Sequence, residues 1–131
     1  MAMSKILLVD DDVDLLELYS DVLELMGHII LRAHDGREAL ELARRWLPDL
    51  VVTDWMMPEM CGVELCRALA SAEDLRHVPV IMHTASGNPH APHVRAFLPK
   101  GCDLECFEEV VTRTLTSAPR PPPLPGECQA A

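Results

Sequence analysis

Short apolar runs alternate along this chain with longer stretches in which apolar residues recur every three or four positions. The short runs predict buried strands, and the longer stretches predict helices with one apolar face. The predicted strands are residues 5–9, 28–33, 50–54, 78–83 and 96–99. The predicted helices are residues 13–26, a segment that starts after Asp35 and stops before Pro48, residues 61–71, and a last segment that starts after Asp103.

Strands and helices that alternate in this way predict an α/β fold with a parallel sheet covered on both faces. Right-handed crossovers narrow the topology to a doubly wound, flavodoxin-like, five-stranded sheet with the order 2-1-3-4-5. Residues 87–95 contain two prolines and a glycine and predict one or two helical turns at most. We therefore expect the fourth helix of the fold to be shortened or missing.

The same periodicity predicts which side chains face the core and which residues cap the helices. Asp12, Asp35 and Asp103 are expected N-caps, and Glu38 is the expected reciprocal partner of Asp35. The predicted inner faces are Leu15, Leu18, Tyr19, Val22 and Met26 in the first helix, Ala39, Leu40, Ala43, Trp46 and Leu47 in the second, Val63, Leu65, Cys66 and Leu69 in the third, and Leu104, Phe107, Val111 and Leu115 in the last.

The composition changes near residue 118, and this change divides the 131 residues into one domain, 1–118, and a proline-rich tail, 119–131. Such a tail cannot pack a core, so it is expected to be extended or disordered, or the stub of a linker. The alternative is a polyproline ligand for the groove of a partner.

The charge balance narrows the classes of partner. Eleven basic and twenty-one acidic residues leave a net charge of −10, which argues against direct binding to nucleic acid and is compatible with a cation site. No signal peptide and no bilayer-spanning segment is recognised, so we expect a cytoplasmic protein without a membrane partner. The five cysteines are expected to be reduced. A zinc site of His90, His93, Cys102 and Cys106 is the alternative.

Acidic residues follow two strands that the predicted order makes neighbours. Asp10 and Asp11 come directly after the first strand, and Asp54 ends the third, so these three carboxylates should meet in the crevice at the switch point of the sheet. Three carboxylates suit Mg²⁺. Thr84 and Lys100 follow the fourth and fifth strands at the same edge. A carboxylate nucleophile, a divalent metal, a hydroxyl and an ammonium form a set suited to phosphoryl transfer.

With these residues together, the chain resembles the receiver domain of two-component response regulators, the family of the chemotaxis regulators. The resemblance covers residue 5 to about residue 115. It is carried by Asp10-Asp11, by the motif Asp54-x-x-Met57-Pro58-x-x-x-Gly62, by Thr84-Ala85 and by Lys100.

The resemblance implies that Asp54 accepts a phosphoryl group from the phosphohistidine of a histidine kinase or phosphotransfer protein. It implies that Asp11, Asp54 and the main-chain carbonyl of Met56 ligate Mg²⁺ directly, with Asp10 acting through water. The protein would catalyse only its own phosphorylation and dephosphorylation and would not be a metabolic enzyme. The sequence identifies neither the kinase nor the output partner.

The resemblance also implies a switch. Thr84 and Lys100 would hold the phosphoryl oxygens, Thr84 would shift toward them, and Phe97 would turn inward. Two positions depart from the family pattern: Gly101 follows Lys100 where a proline after a cis bond is usual, and Phe97 replaces a common tyrosine. Because a cis bond before a non-proline residue costs about 3 kcal/mol, we predict a trans bond at residues 100–101.

Three alternatives remain beside this interpretation. A receiver fold that no longer switches could act as a docking scaffold, which the departures and the short fourth helix favour. A phosphatase with Asp10 as nucleophile would need an Asp-x-Asp-x-Thr pattern that the chain does not have. An EF-hand loop starting at Asp10 would need a glycine where Leu15 stands. His83 is interpreted as a neutral core histidine rather than a catalytic one.

Overall fold

The computed structural model describes residues 3–55, 57, 60–84, 94–99 and 103–117. Its strands are β1 (Lys5–Val9), β2 (Ile29–Ala33), β3 (Leu50–Asp54), β4 (Val80–Thr84) and β5 (Val94–Pro99). Its helices are α1 (Val13–Leu25), α2 (Gly36–Trp46), α3 (Gly62–Ser71) and α4 (Leu104–Ser117).

The five strands form one parallel sheet in the order β2-β1-β3-β4-β5, which confirms the predicted flavodoxin-like topology. The fifth strand begins at Val94, two residues earlier than predicted, because the pairing of Val80 with Val94 extends the ladder. The described residues contain four helices, which is consistent with a missing fourth helix of the fold. Residues 85–93, where that helix was expected to be shortened, lie outside the described residues.

Each face of the sheet carries its own hydrophobic core. Alternate residues of a strand point to opposite faces, so Leu7 and Val51 pack against α2 and α3, while Leu8 and Val52 pack against α1 and α4. All strand residues of β3 and β4 are buried. The sheet therefore presents polar side chains to a ligand only at its edges and ends.

The predicted inner faces are correct at most positions and wrong at four. Leu18, Trp46, Leu47 and Leu104 were predicted to be buried, yet their side chains are 44%, 47%, 48% and 39% exposed. Trp46 and Leu104 are terminal residues of their helices, and Leu47 adopts the left-handed C-cap conformation with φ 48°, so these three lie at helix ends, where fewer neighbours cover a side chain.

The stripe of α1 that faces the sheet is rotated relative to the prediction. Its buried residues are Leu16, Tyr19, Ser20 and Leu23. Leu18 lies outside this stripe, whereas the predicted Val22 lies at its border and packs against the core in part. A leucine-rich helix offers two apolar stripes of similar strength, and only packing against the sheet selects one of them.

The three predicted N-caps are confirmed, since a side-chain oxygen of each residue accepts a backbone N–H from the first helical turn: Asp12, Asp35 and Asp103. The predicted reciprocal hydrogen bond, between the Glu38 side chain and the backbone N–H of Asp35, is wrong by one residue. The Glu38 carboxylate instead accepts the backbone N–H of His34 at 2.7 Å. It therefore anchors the loop before α2 as well as the helix.

The cysteines that the structure describes are free thiols: Cys61, Cys66 and Cys106. The alternative zinc site needs His90, His93 and Cys102, which lie outside the described residues, as does the predicted tail 119–131. Within the described part of the chain, none of the helices has the length and apolar character needed to cross a membrane.

Candidate functional site

The three predicted acidic residues meet at the carboxyl ends of β1 and β3. Asp54 is the last residue of β3, and Asp10 follows β1 and continues the ladder, because its N–H donates to the carbonyl of Ala33 at 3.1 Å. Oxygens from the carboxylates of Asp10, Asp11 and Asp54 all lie within 4.8 Å of one another. The structure thus brings together the acidic cluster that the strand order predicted.

Burial makes this cluster costly unless a positive charge is nearby. The side chains of Asp10 and Asp54 are only 5% and 6% exposed, whereas Asp11 is exposed to solvent. Two unit negative charges about 5 Å apart repel by about 3 kcal/mol at an effective dielectric constant of 20. Binding of a cation would relieve this repulsion.

The geometry of the cluster suits Mg²⁺. This ion takes oxygen ligands at about 2.1 Å in an octahedron, so its ligand oxygens lie about 3 to 4 Å apart. Oxygens that lie within 4.8 Å of one another need little movement to reach this arrangement. One oxygen of Asp10 already accepts the backbone N–H of Asp12 at 2.9 Å, which fixes the orientation of that carboxylate. The residues therefore fit the predicted ion.

The other predicted site residues are described only in part. Thr84 ends β4 at the same edge as Asp54, and its side chain is buried at 6% exposure. Phe97 lies on β5 with 36% exposure. Met56 and Lys100, and with them the predicted trans bond at residues 100–101, lie outside the described residues.

Gly62 has a structural role at the site that the sequence motif alone did not explain. A Cβ atom on this residue would lie 2.3 Å from the carbonyl oxygen of Asp54, and the N–H of Gly62 donates to the carbonyl of Trp55 at 2.7 Å. The first turn of α3 therefore packs directly on the backbone of the acidic residue. Only a glycine permits this approach.

His83 is a buried strand residue that lies beside Asp54 in the sheet. It is buried at 2% exposure, as predicted, but its register partner on the neighbouring strand is Asp54. The sequence already indicated a position near the site, because His83 directly precedes Thr84 at the end of a buried strand. What was missing was the pairing register of β3 with β4.

Comparison with known proteins identifies a family and several relatives. Residues 6–104 match the family model of the response regulator receiver domain. Over 80 residues the chain is 40% identical to the polar-differentiation response regulator DivK of Brucella ovis and 39% identical to that of Brucella anthropi. These matches cover 61% of this chain and 65% of each relative, so the chain spans less than two thirds of their length.

Solved structures with the same fold cover more of the chain. The chemotaxis response regulator CheY4 of Vibrio cholerae superposes with a TM-score of 0.81 at 29% identity, over 86% of this chain and 98% of that one. The signal receiver domain of a signal transduction histidine kinase from Syntrophus aciditrophicus gives a TM-score of 0.81 at 30% identity, over 98% and 99% of the two chains.

Proposed function

The chain belongs to the response regulator receiver domain family, and from that premise we propose that it is a Mg²⁺-dependent phosphoacceptor in a two-component pathway. Members of this family in general are not metabolic enzymes, typically bind Mg²⁺ in an acidic pocket, and interact with histidine kinases or phosphotransfer proteins. The observation that carries the proposal is the cluster of Asp10, Asp11 and Asp54 at the carboxyl edge of the sheet.

Asp54 is the proposed nucleophile. One of its carboxylate oxygens attacks the phosphorus of a phosphohistidine on the donor protein, the P–N bond breaks, and its electron pair returns to the donor imidazole, which takes up a proton. The product is an acyl phosphate on Asp54. Because Asp54 is buried and held at the end of β3, its oxygen is oriented before the donor arrives.

The proposed metal ligands are Asp11, Asp54 and the main-chain carbonyl of Met56, with Asp10 acting through a water molecule. When bound, Mg²⁺ would neutralise the charge on the transferring phosphoryl group. Asp10 is oriented for this task by the N–H of Asp12. The exposed Asp11 gives the ion access from solvent.

Thr84 and Lys100 are proposed to hold the phosphoryl oxygens of the product. Thr84 then moves toward the phosphoryl group, and Phe97 on β5 turns inward to alter the output face. The partial exposure of Phe97 supports this part of the proposal, since the ring has an outward position to leave.

The proposed partners are a histidine kinase or phosphotransfer protein as donor and an output protein. The net charge of −10 makes nucleic acid an unfavourable direct partner. We propose that residues 1–118 form the receiver domain and that residues 119–131 form a disordered tail or a linker stub.

Incubation with a small phosphodonor such as phosphoramidate, with and without Mg²⁺, tests the function. The intact mass should increase by one phosphoryl group only when Mg²⁺ is present, and Asp54→Asn should abolish the increase. Asp12→Asn is the matched control, because it removes an acidic charge beside the site and keeps a good N-cap. If Asp54→Asn still gains the phosphoryl group, the assignment of the acceptor is wrong.

A docking scaffold that does not switch is the second candidate, and the replacement of the usual proline by Gly101 favours it. Addition of beryllofluoride, which mimics a phosphoryl group, separates the two. A switching receiver should show shifted amide resonances at Phe97 on β5, in addition to those of the residues around Asp54. Shifts confined to the residues around Asp54 would favour the scaffold.

A further inference from the structure

Three polar side chains lie in one row across the sheet. Val9 is aligned with Thr53, so Asp10, the next residue, is level with Asp54, and Asp54 in turn is aligned with His83. Residues at one level of a parallel sheet point to the same face, and neighbouring strands are about 4.8 Å apart. Asp54 therefore stands between Asp10 on one side and His83 on the other.

Two neighbours of His83 on the same face of the sheet are apolar. Leu98 on β5 is aligned with His83 and is 1% exposed, and Ile81, two residues before His83 on the same face, is fully buried. An apolar side chain would suit this environment better than an imidazole. A polar ring at this level is consistent with a role toward the carboxylates beside it.

Aromatic packing holds the imidazole in place from the helix side. The ring of Tyr19 meets the ring of His83 edge to face at 5.1 Å between centroids, and Phe107 lies at 6.4 Å. Tyr19 and Phe107 stack on each other at 4.3 Å. These contacts from α1 and α4 leave the histidine ring few orientations.

A small cavity is lined by both His83 and Asp10. Its lining also includes Tyr19. Of the acidic cluster, Asp10 therefore shares this space with the histidine, while Asp54 is the register partner of His83. A change of side chain at residue 83 would alter the surroundings of both acidic residues of the row.

We propose that His83 is a positioning residue for the phosphoacceptor site. Its imidazole, held by Tyr19 and Phe107, makes a polar contact with the Asp54 side chain on the β4 side and so keeps the carboxylate directed toward Asp10 and Asp11, the proposed metal site. This inference rests on the proposed function and assigns to the histidine a role in the affinity for Mg²⁺ and in the rate of phosphoryl transfer.

Two substitutions test the proposal. His83→Leu keeps the volume and removes the polar ring, and it should weaken Mg²⁺ binding and slow phosphorylation at saturating Mg²⁺ by about tenfold or more, as expected for residues that orient metal ligands. His83→Asn keeps an N–H donor close to the backbone and should recover most of both. Binding is measured by the fluorescence of Trp55 in a Trp46→Phe background, without a phosphodonor.

Ile81→Val is the matched control, because it alters the same strand and the same face two residues before His83. It should lower the free energy of unfolding and leave Mg²⁺ affinity unchanged. The imidazole resonances of His83 should also shift when Mg²⁺ is added to the wild-type protein.

Wild-type affinity and rate in His83→Leu would overturn the proposal, and so would an Asn variant no better than the Leu variant. Imidazole resonances that do not respond to Mg²⁺ would do the same. These results leave the proposed function intact, since that function fails only if Asp54 of the wild-type protein takes up no phosphoryl group.

Discussion

Replacement of Gly62 by alanine should damage both the fold and the site, for a reason visible at one contact. The new Cβ would lie 2.3 Å from the carbonyl oxygen of Asp54, whereas Cβ atoms essentially never approach another heavy atom within 3.0 Å, so a shift of at least 0.7 Å is needed (3.0 minus 2.3). The other close atoms are the Cα of Trp55 and the Sδ of Met82, each at 3.0 Å. Because two of these three atoms belong to the backbone, rotation of a side chain cannot relieve the clash.

Two effects of this substitution oppose each other, and their sizes decide the outcome. Alanine favours a helix over glycine by about 1 kcal/mol, while overpacking of a tightly packed region costs about 1 to 3 kcal/mol. We expect a net loss, since the clash involves the backbone of Asp54. A displacement approaching 1 Å at a reacting group can slow catalysis by about 100-fold. Phosphorylation of Gly62→Ala should therefore fall by about 10- to 100-fold.

The assay combines urea unfolding without Mg²⁺ and the rate of mass gain with phosphoramidate. Gly27→Ala is the control, because Gly27 has φ +95° and no atom within 4 Å of its added Cβ. It should lose about 1 kcal/mol through backbone strain alone and phosphorylate at the wild-type rate. Wild-type stability together with a wild-type rate in Gly62→Ala would refute the reasoning.

Three further predictions concern single side chains. Burial lowers the pKa of His28, so the fold favours its neutral form. As the pH falls below about 6.5, the pKa of histidine in the unfolded chain, the wild-type protein should lose free energy of unfolding that His28→Asn retains. Urea titrations at pH 7.5 and 5.5 measure this loss, and equal losses in the two proteins would contradict the prediction. Phe107→Ala should cost about 3 to 5 kcal/mol in the same assay, because the ring is fully buried, and a loss below 1 kcal/mol would contradict it. Burial, with a smaller contribution from Cys61, raises the pKa of the Cys66 thiol to about 12. In a variant with Cys102→Ser and Cys128→Ser, a thiol reagent at pH 8 should therefore modify the exposed Cys106 at once and Cys66 only after unfolding.

The local sequence pattern was sufficient to predict the strands and helices and much of their arrangement in the sheet. The apolar runs at 5–9 and 50–54 are confirmed as β1 and β3, and the predicted caps Asp35 and Asp103 bind the first turns of their helices. These features depend on residues within a few positions of one another, and steric and hydrogen-bonding preferences act over that range. The handedness of crossovers then left few topologies for five alternating strands.

The local sequence pattern was insufficient where the surroundings of a residue are formed by distant parts of the chain. Leu18 and Trp46 belong to apolar stripes, yet they are exposed because the buried stripe of α1 is a neighbouring one and because Trp46 is the last residue of α2. Val94 was predicted outside a strand, and pairing with Val80 places it in one. Tertiary packing overrides weak local preference at such positions.

By itself, the sequence determined that Asp10, Asp11 and Asp54 end neighbouring strands and that their oxygens suit Mg²⁺, because ligand chemistry and strand order can both be inferred from the order of residues along the chain. Only the tertiary structure decided what stands around them. The backbone of Asp54 touches Gly62, and the pairing of β3 with β4 places His83 beside the carboxylate. The physical reason is that register between strands depends on the packing of the whole sheet against its helices, and a shift of one residue would have turned His83 to the opposite face.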